Sequence, residues 1–283
     1  MNDLTVATVS FCSKDKKAEN VAKAESFIKL AKARGADWVL LPEVFTYFGS
    51  YSALDENSES ADGSLVEKLS QLAKDESICI LAGSFGETIT DRQEEVSNDK
   101  GNKKVYNTLF VFDRKGEVVA KYRKTHLFNL KDESGKAIYC ESDGYVPGDD
   151  IVTVELEGWN LGLAICYDLR FPEFFVELAK TKPLDLIALP AAFTEGTGKD
   201  HWEVLLRARA IEQQSYVLAS NQCGEHQPGK KSFGHSMIID PWGNKLADTG
   251  DVEGLAIASI SKDRINDVRA KLPALANKRR DLY

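Results

Sequence analysis

The decapeptide DWVLLPEVFT at residues 37–46 is matched by DLIALPAAFT at 185–194. Both begin with aspartate, carry Leu-Pro in the middle and end in Phe-Thr, with apolar residues in register between. Each precedes a helical pattern and then a run that ends in Gly-Glu, LAGSFGE at 81–87 and LASNQCGE at 218–225. Each then reaches a hairpin with a D-x-x-G turn, DRKG at 113–116 and DPWG at 240–243. Matches repeated in one order predict a duplicated α-β-α-β-β unit. The informative mismatch is Glu43, which the second copy replaces with Ala191. Folding symmetry does not require that glutamate.

Working outward, short β-branched runs alternate with amphipathic segments. Strands are predicted at 5–11, 37–41, 78–84, 105–112, 117–122, 161–165, 184–190, 216–220, 235–240 and 255–260. Helices are predicted at 17–34, 64–75, 173–180 and 200–214, the first from Val21, Ala24, Phe27, Ile28 and Ala31 at helical spacing. Such alternation predicts an α/β fold. Two sheets stacked face to face, with helices outside, give a four-layer αββα sandwich built from two related halves. No Pro/Gly/Ser-rich linker interrupts the chain, so residues 1–283 read as one domain. The polar stretch 90–104 reads as an exposed hairpin loop.

The 283 residues are 43% hydrophobic and 28% charged, a composition that supports a large core. A net charge of −8 without a basic stripe argues against nucleic acid or an anionic membrane as partner. The start MNDLTVATVSF lacks a signal-peptide pattern, and no apolar run is long enough to span a bilayer, so the expected location is the cytoplasm. The five cysteines (Cys12, Cys79, Cys140, Cys166, Cys223) are too widely spaced for a zinc knuckle or a C-x-x-C pair. The histidines form no metal motif, and no glycine-rich nucleotide signature is present. Neither a metal nor a cofactor is expected.

Ligands in α/β folds gather at the carboxyl ends of strands. Glu43 follows DWVLLP, Lys124 follows EVVAKYR, and Cys166 follows LGLAI. Each alone has an ordinary explanation: a loop carboxylate, a solvated basic patch with Lys121 and Arg123, and a buried thiol. Together they meet each other's needs. A thiol is a few per cent thiolate at neutral pH and needs a base, which a carboxylate supplies. A lysine balances that carboxylate and stabilises the oxyanion formed on attack at a carbonyl. The Tyr167 N–H, just past the thiol, is a candidate second oxyanion donor, and the helix start at Pro172-Glu173 adds a favourable dipole. His126, His201 and His235 read as structural.

The motifs LPEVF (Glu43), KYRKTHLF (Lys124) and GLAICYDLRFPE (Cys166) resemble the carbon–nitrogen hydrolase (nitrilase) superfamily over essentially the whole chain. The resemblance implies the αββα sandwich, a general-base glutamate, an oxyanion lysine, a cysteine nucleophile and a homodimer or higher homo-oligomer. It implies a second glutamate, Glu141 in CESDGYVPGDD, with Glu133 the alternative, and a C-terminal tail (about 271–283) at a subunit contact. The stretches HWEVLLRARAIEQQSYVLASNQCGEH, FGHSMIIDPWG and LPALANKRRDLY resemble amidases of short carboxylate-bearing amides. That finer match implies deaminated glutathione as substrate, or alternatively the omega-amide of a keto acid such as alpha-ketoglutaramate. Arg170 is then a candidate for the substrate carboxylate, an ion pair with Asp168 or Glu173 being its other reading; Phe193 and Thr194 are further candidate contacts.

Overall fold

The computed structural model describes residues 3–90, 96–279 and 281–282. All ten predicted strands are present, with ends shifted by no more than three residues. The first sheet runs in the order Gly254–Ser261, Asp3–Ser10, Trp38–Leu40, Cys79–Leu81, Val105–Phe112, Phe85–Thr88. Strands Val118–Arg123 and Tyr145–Val146 also pair with Val105–Phe112. The second sheet runs Thr153–Leu156, Trp159–Leu163, Leu186–Ala191, Tyr216–Asn221, Met237–Ile239, Lys245–Asp248. Each is parallel at its centre and antiparallel at its edges.

Hydrogen bonds explain why the repeat keeps its aspartates. The Asp37 carboxylate accepts from Thr5 N on the preceding strand at 2.9 Å, and Asp185 accepts from Asn160 N at 2.9 Å. Their own peptides continue the ladders, with Asp37 N donating to Thr5 O and Asp185 N to Asn160 O. The D-x-x-G turns are equally alike. Asp113 Oδ1 accepts from Lys115 N and Glu117 N, and Asp240 Oδ1 accepts from Trp242 N and Asn244 N. Gly116 and Gly243 close these turns at φ of 83° and 87°, a region in which glycine is nearly free of steric cost.

Alternate residues divide each strand between two layers of core. Val6, Trp38, Leu40, Leu81 and Val111 of the first sheet pack with Trp159, Leu161 and Leu163 of the second. Trp38 and Trp159 meet edge-on with ring centroids 6.3 Å apart. The opposite face, including Val9, Val39, Ile80 and Phe112, packs under helices Lys17–Ala33 and Ser64–Glu76. Helices Pro172–Leu178 and Glu195–Gln213 cover the second sheet through Phe175, Trp202, Leu206 and Ala210. This is the expected αββα sandwich.

Some elements were not legible. Helix Lys262–Lys271 buries only Ile265 and Val268, too thin a stripe to read, and edge strand Thr153–Leu156 buries only Leu156. Hairpins Asn129–Lys131/Ala137–Cys140 and Cys223–Gln227/Lys230–Phe233 are short and stand outside the two main sheets. Of the 90–104 loop, residues 91–95 lie outside the described residues. The described part turns back on itself, with Ser97 bridging Lys103 antiparallel.

Candidate active site

The loop after Trp38–Leu40 turns sharply at Glu43-Val44. Val44 sits in the left-handed region at φ 47°, strained for a β-branched residue, and its N–H is held by Ser84 Oγ at 2.9 Å. Gln222, from the second half, donates to the Glu43 carbonyl at 2.9 Å. Lys124 follows strand Val118–Arg123 directly. Lys121 and Arg123 pair with Glu87, while Lys124 turns inward and is 2% exposed. The basic patch is thus not a uniform solvated face.

Cys166 also has a left-handed backbone, φ 47°, and opens the short 3-10 helix Cys166–Arg170. This helix start, not the one at Pro172, lies at the thiol. Fully buried Asp168 fixes the turn by accepting from Ile165 N at 2.8 Å and from the Tyr122 hydroxyl at 2.7 Å. His126 Nδ1 lies 2.7 Å from the other oxygen of that carboxylate. The histidine therefore supports the turn from behind.

Lys124 Nζ donates to Glu43 Oε1 at 2.8 Å and to both oxygens of Glu141 at 2.9 and 2.8 Å. Asn107 Nδ2 donates to Glu43 Oε1 at 2.8 Å and Glu141 Oε1 at 3.3 Å. Backbone donors complete the set: Ala192 N to Glu43 Oε2 at 2.7 Å, and Phe128 N to Glu141 Oε2 at 2.6 Å. Every bond presented to the two carboxylates is a donor, the environment of an ionised oxygen.

Burial first, then the charge of Glu43, pushes the Cys166 thiol well above its ordinary pKa, with Lys124 opposing. Burial opposes the Lys124 ammonium, but Glu141 and Glu43 outweigh it and hold Lys124 well above its usual value. Glu141 is raised, mainly by burial, against the pull of Lys124. At neutral pH the arrangement is a neutral thiol with a permanent cation and a carboxylate at hand. It can deprotonate the thiol at the moment of attack and stabilise an oxyanion.

These groups line a cavity of about 930 Å³, counting its open mouth. The structure brings Glu43, Lys124, Glu141, Cys166 and Thr194 to its wall. Tyr167, Arg170 and Phe193 are not in the wall. The Tyr167 ring packs against Phe128 and Phe171, although its N–H, in the first turn of the 3-10 helix, has no acceptor within that helix. Arg170 lies over the Phe193 ring at 5.1 Å and 3.4 Å from His201 Nδ1, instead of pairing with Asp168 or Glu173. Phe193 is buried against Trp202. Glu133 is exposed at a hairpin tip.

Sequence reasoning missed Asn107, whose strand context hides it, and the cavity residues Tyr51, Tyr145, His226, Lys230 and Lys231. His226 is the one histidine in the wall. Burial lowers it to about 4, and its ring stacks on Phe48 at 3.9 Å. The Lys-Lys pair after a Pro-Gly turn was the available signal. Among the described residues no group of three or more His, Cys, Asp or Glu could hold a metal, and no helix is long and apolar enough to cross a membrane.

Residues 5–270 match the carbon-nitrogen hydrolase family model. The chain is 39% identical over 280 residues to the deaminated glutathione amidase of Synechocystis sp., covering 98% of this chain and 99% of that one. It is 37% identical over 280 residues to the deaminated glutathione amidase of Homo sapiens, covering 98% of this chain and 83% of that one. Among solved structures, the C. elegans NitFhit protein superposes with a TM-score of 0.86 at 31% identity, over 100% of this chain and 66% of that longer one. Saccharomyces cerevisiae Nit3 gives 0.84 at 29% identity, over 99% of this chain and 97% of that one. With its fold, its match to the family model and its full-length relatives in agreement, the chain belongs to the carbon–nitrogen hydrolase family and is an enzyme that hydrolyses carbon–nitrogen bonds.

Proposed function

We propose that the enzyme hydrolyses the amide of deaminated glutathione to 2-oxoglutarate and cysteinylglycine through a thioester on Cys166. The observation that carries the mechanism is that Cys166, Glu43 and Lys124 line one cavity, with Lys124 paired to Glu43 at 2.8 Å. Glu43 takes the thiol proton as sulfur attacks the amide carbon. The Lys124 ammonium and the Tyr167 N–H hold the tetrahedral oxyanion, each such donor worth about 10²–10³ in rate. Glu43 then gives its proton to the departing nitrogen, the C–N bond breaks, and the thioester remains. Water, deprotonated by Glu43, attacks the thioester; the acid leaves and the thiol regains its proton. Glu141 grips Lys124 with both oxygens and keeps it charged and aimed.

Thr194 and Lys231, both in the cavity wall, are suited to the carboxylate of the acyl half, and Arg170 is given no substrate contact. The names of the full-length relatives support the substrate. The reading includes a single domain working in the cytoplasm, where a reducing milieu preserves the thiol. It also includes a homodimer. Helix Glu195–Gln213 exposes Val204 at 66% and Ile211 at 48%, with Trp242 at 47% on the turn beside Ile211. The reading also includes the C-terminal tail, about 271–283, at a subunit contact.

The test is a side-by-side rate assay on deaminated glutathione and alpha-ketoglutaramate, with Cys166→Ala as the blank. Preference for the first by about tenfold or more in kcat/KM is the expected result. Preference for alpha-ketoglutaramate transfers the enzyme to omega-amide hydrolysis, and turnover of neither discards both substrates.

A further inference from the structure

A second cleft opens beside the catalytic cavity, with a volume of about 1090 Å³ counting its open side. Its wall includes Asn98, Lys100 and Lys104 of the 96–104 hairpin, Gln227 and Lys230 of another hairpin, and Asp143. The cleft and the cavity share Ser50, Tyr51 and Lys230, so one wall serves both. A single 3-10 turn, Glu141–Asp143, joins them chemically. Its first residue grips Lys124, while Ser142 and Asp143 face the cleft. Asn98 Nδ2 donates to the Asp143 carbonyl at 2.8 Å and ties the hairpin to that turn.

The charges are unusual for an acidic chain. Lys100, Lys104 and Lys230 form no ion pair among the described residues, although acidic residues outnumber basic ones 44 to 36 overall. The two acids of the cleft are Asp99 and Asp143, and the second is engaged by the Cys140 thiol at 3.2 Å. Three lysines without an ion pair, set against two aspartates, leave this concave wall net positive, which attracts a carboxylate. The acyl half of a substrate must lie at Cys166, inside the cavity. Its amine half leads away from Cys166, and the cleft shares Ser50, Tyr51 and Lys230 with the cavity wall.

We propose that this cleft is the subsite for the leaving amine, selecting amides whose amine half is an extended chain ending in a carboxylate. Ammonia, as leaving group, makes no use of it. The inference deepens the proposed hydrolysis and rests on it for the position of the acyl half. Lys230 stands at the junction, and Lys100 and Lys104 meet the far carboxylate.

The test uses the Cys166→Ala protein, titrated calorimetrically with cysteinylglycine and with the same dipeptide amidated at its carboxyl end. Saturable binding of the acid is expected, weakened about three- to tenfold by amidation and by the Lys100→Ala/Lys104→Ala pair, and weakened by salt. In the Cys166 enzyme the same lysine pair should lower the ratio of kcat/KM for the peptide amide over alpha-ketoglutaramate. Equal binding of acid and amide, indifference to the lysine pair, or no saturable binding would each mean that these lysines are merely solvated, and would overturn the subsite. Because the titration needs no turnover, its failure leaves the hydrolysis reading intact. Conversely, failure of hydrolysis on both substrates leaves the titration to decide the subsite.

Discussion

Lys124→Met removes the cation that two buried carboxylates share. In the intact site Nζ lies 2.8 Å from Glu43 Oε1 and 2.8 and 2.9 Å from the oxygens of Glu141. Methionine fills similar space but leaves Glu43 and Glu141 facing each other, with the Asn107 amide as their shared side-chain donor. Deleting one partner of a buried charge set costs about 3–5 kcal/mol. At about 2–4 °C per kcal/mol for a chain of this size, Tm should fall by roughly 6–20 °C at neutral pH. The pH dependence is the sharper part. Glu141 is already raised by burial, and losing Lys124 raises it further above its unfolded value. Stability carried by a carboxyl with a raised folded pKa is fully present below the unfolded pKa and lost as pH rises through the folded one. The deficit against wild type should therefore be small in mild acid and grow toward neutral pH. Scanning calorimetry of both proteins from about pH 5 to pH 8 measures it. Adding Glu141→Gln should recover part of the loss, because it removes the like charge. A deficit that ignores pH, or that Glu141→Gln deepens, would refute the reasoning.

Asp168→Asn should lower kcat by about tenfold or more with little change in KM, because its acceptor for Ile165 N and Tyr122 fixes the turn carrying Cys166. Unchanged kcat would remove its positioning role. With no substrate present, alkylation of Cys166 by iodoacetamide should accelerate through the alkaline range, since burial and Glu43 keep the thiol protonated; a plateau near neutrality would indicate a preformed thiolate. If the proposed homodimer forms through the helix face carrying Val204, Val204→Glu should yield a monomer in light scattering, and an unaltered mass would place the contact elsewhere.

The sandwich was legible because its signals are local and doubled. Asp37 and Asp185 each tie a strand to its neighbour, and Asp113 and Asp240 each close a turn by the same bonds. The approach of Glu43, Lys124 and Cys166 followed from three strand ends sharing a sheet edge or facing one. Arg170 illustrates the limit. It sits in the right motif, yet Asp168 is committed to the backbone and to Tyr122, and the guanidinium lies over Phe193 instead. Lys230, Lys231 and Tyr51 reach the cavity only because loops close over it, and no periodicity in the chain announces such closure. Asn107 was hidden by an apolar strand in which every residue is buried.

The mismatch between the two copies has a physical reason. Glu43 N donates to Ala191 O at 3.4 Å, so the equivalent positions of the two halves touch. Ala191 is fully buried. A glutamate there would set a second anion close to the first, without a second Lys124 to compensate it. One half supplies the carboxylate and the other, through the Ala192 N–H, supplies a peptide dipole that receives it. Perfect symmetry is thus incompatible with this centre. A designer who idealised the sequence by copying one half onto the other would retain the sandwich and abolish the chemistry.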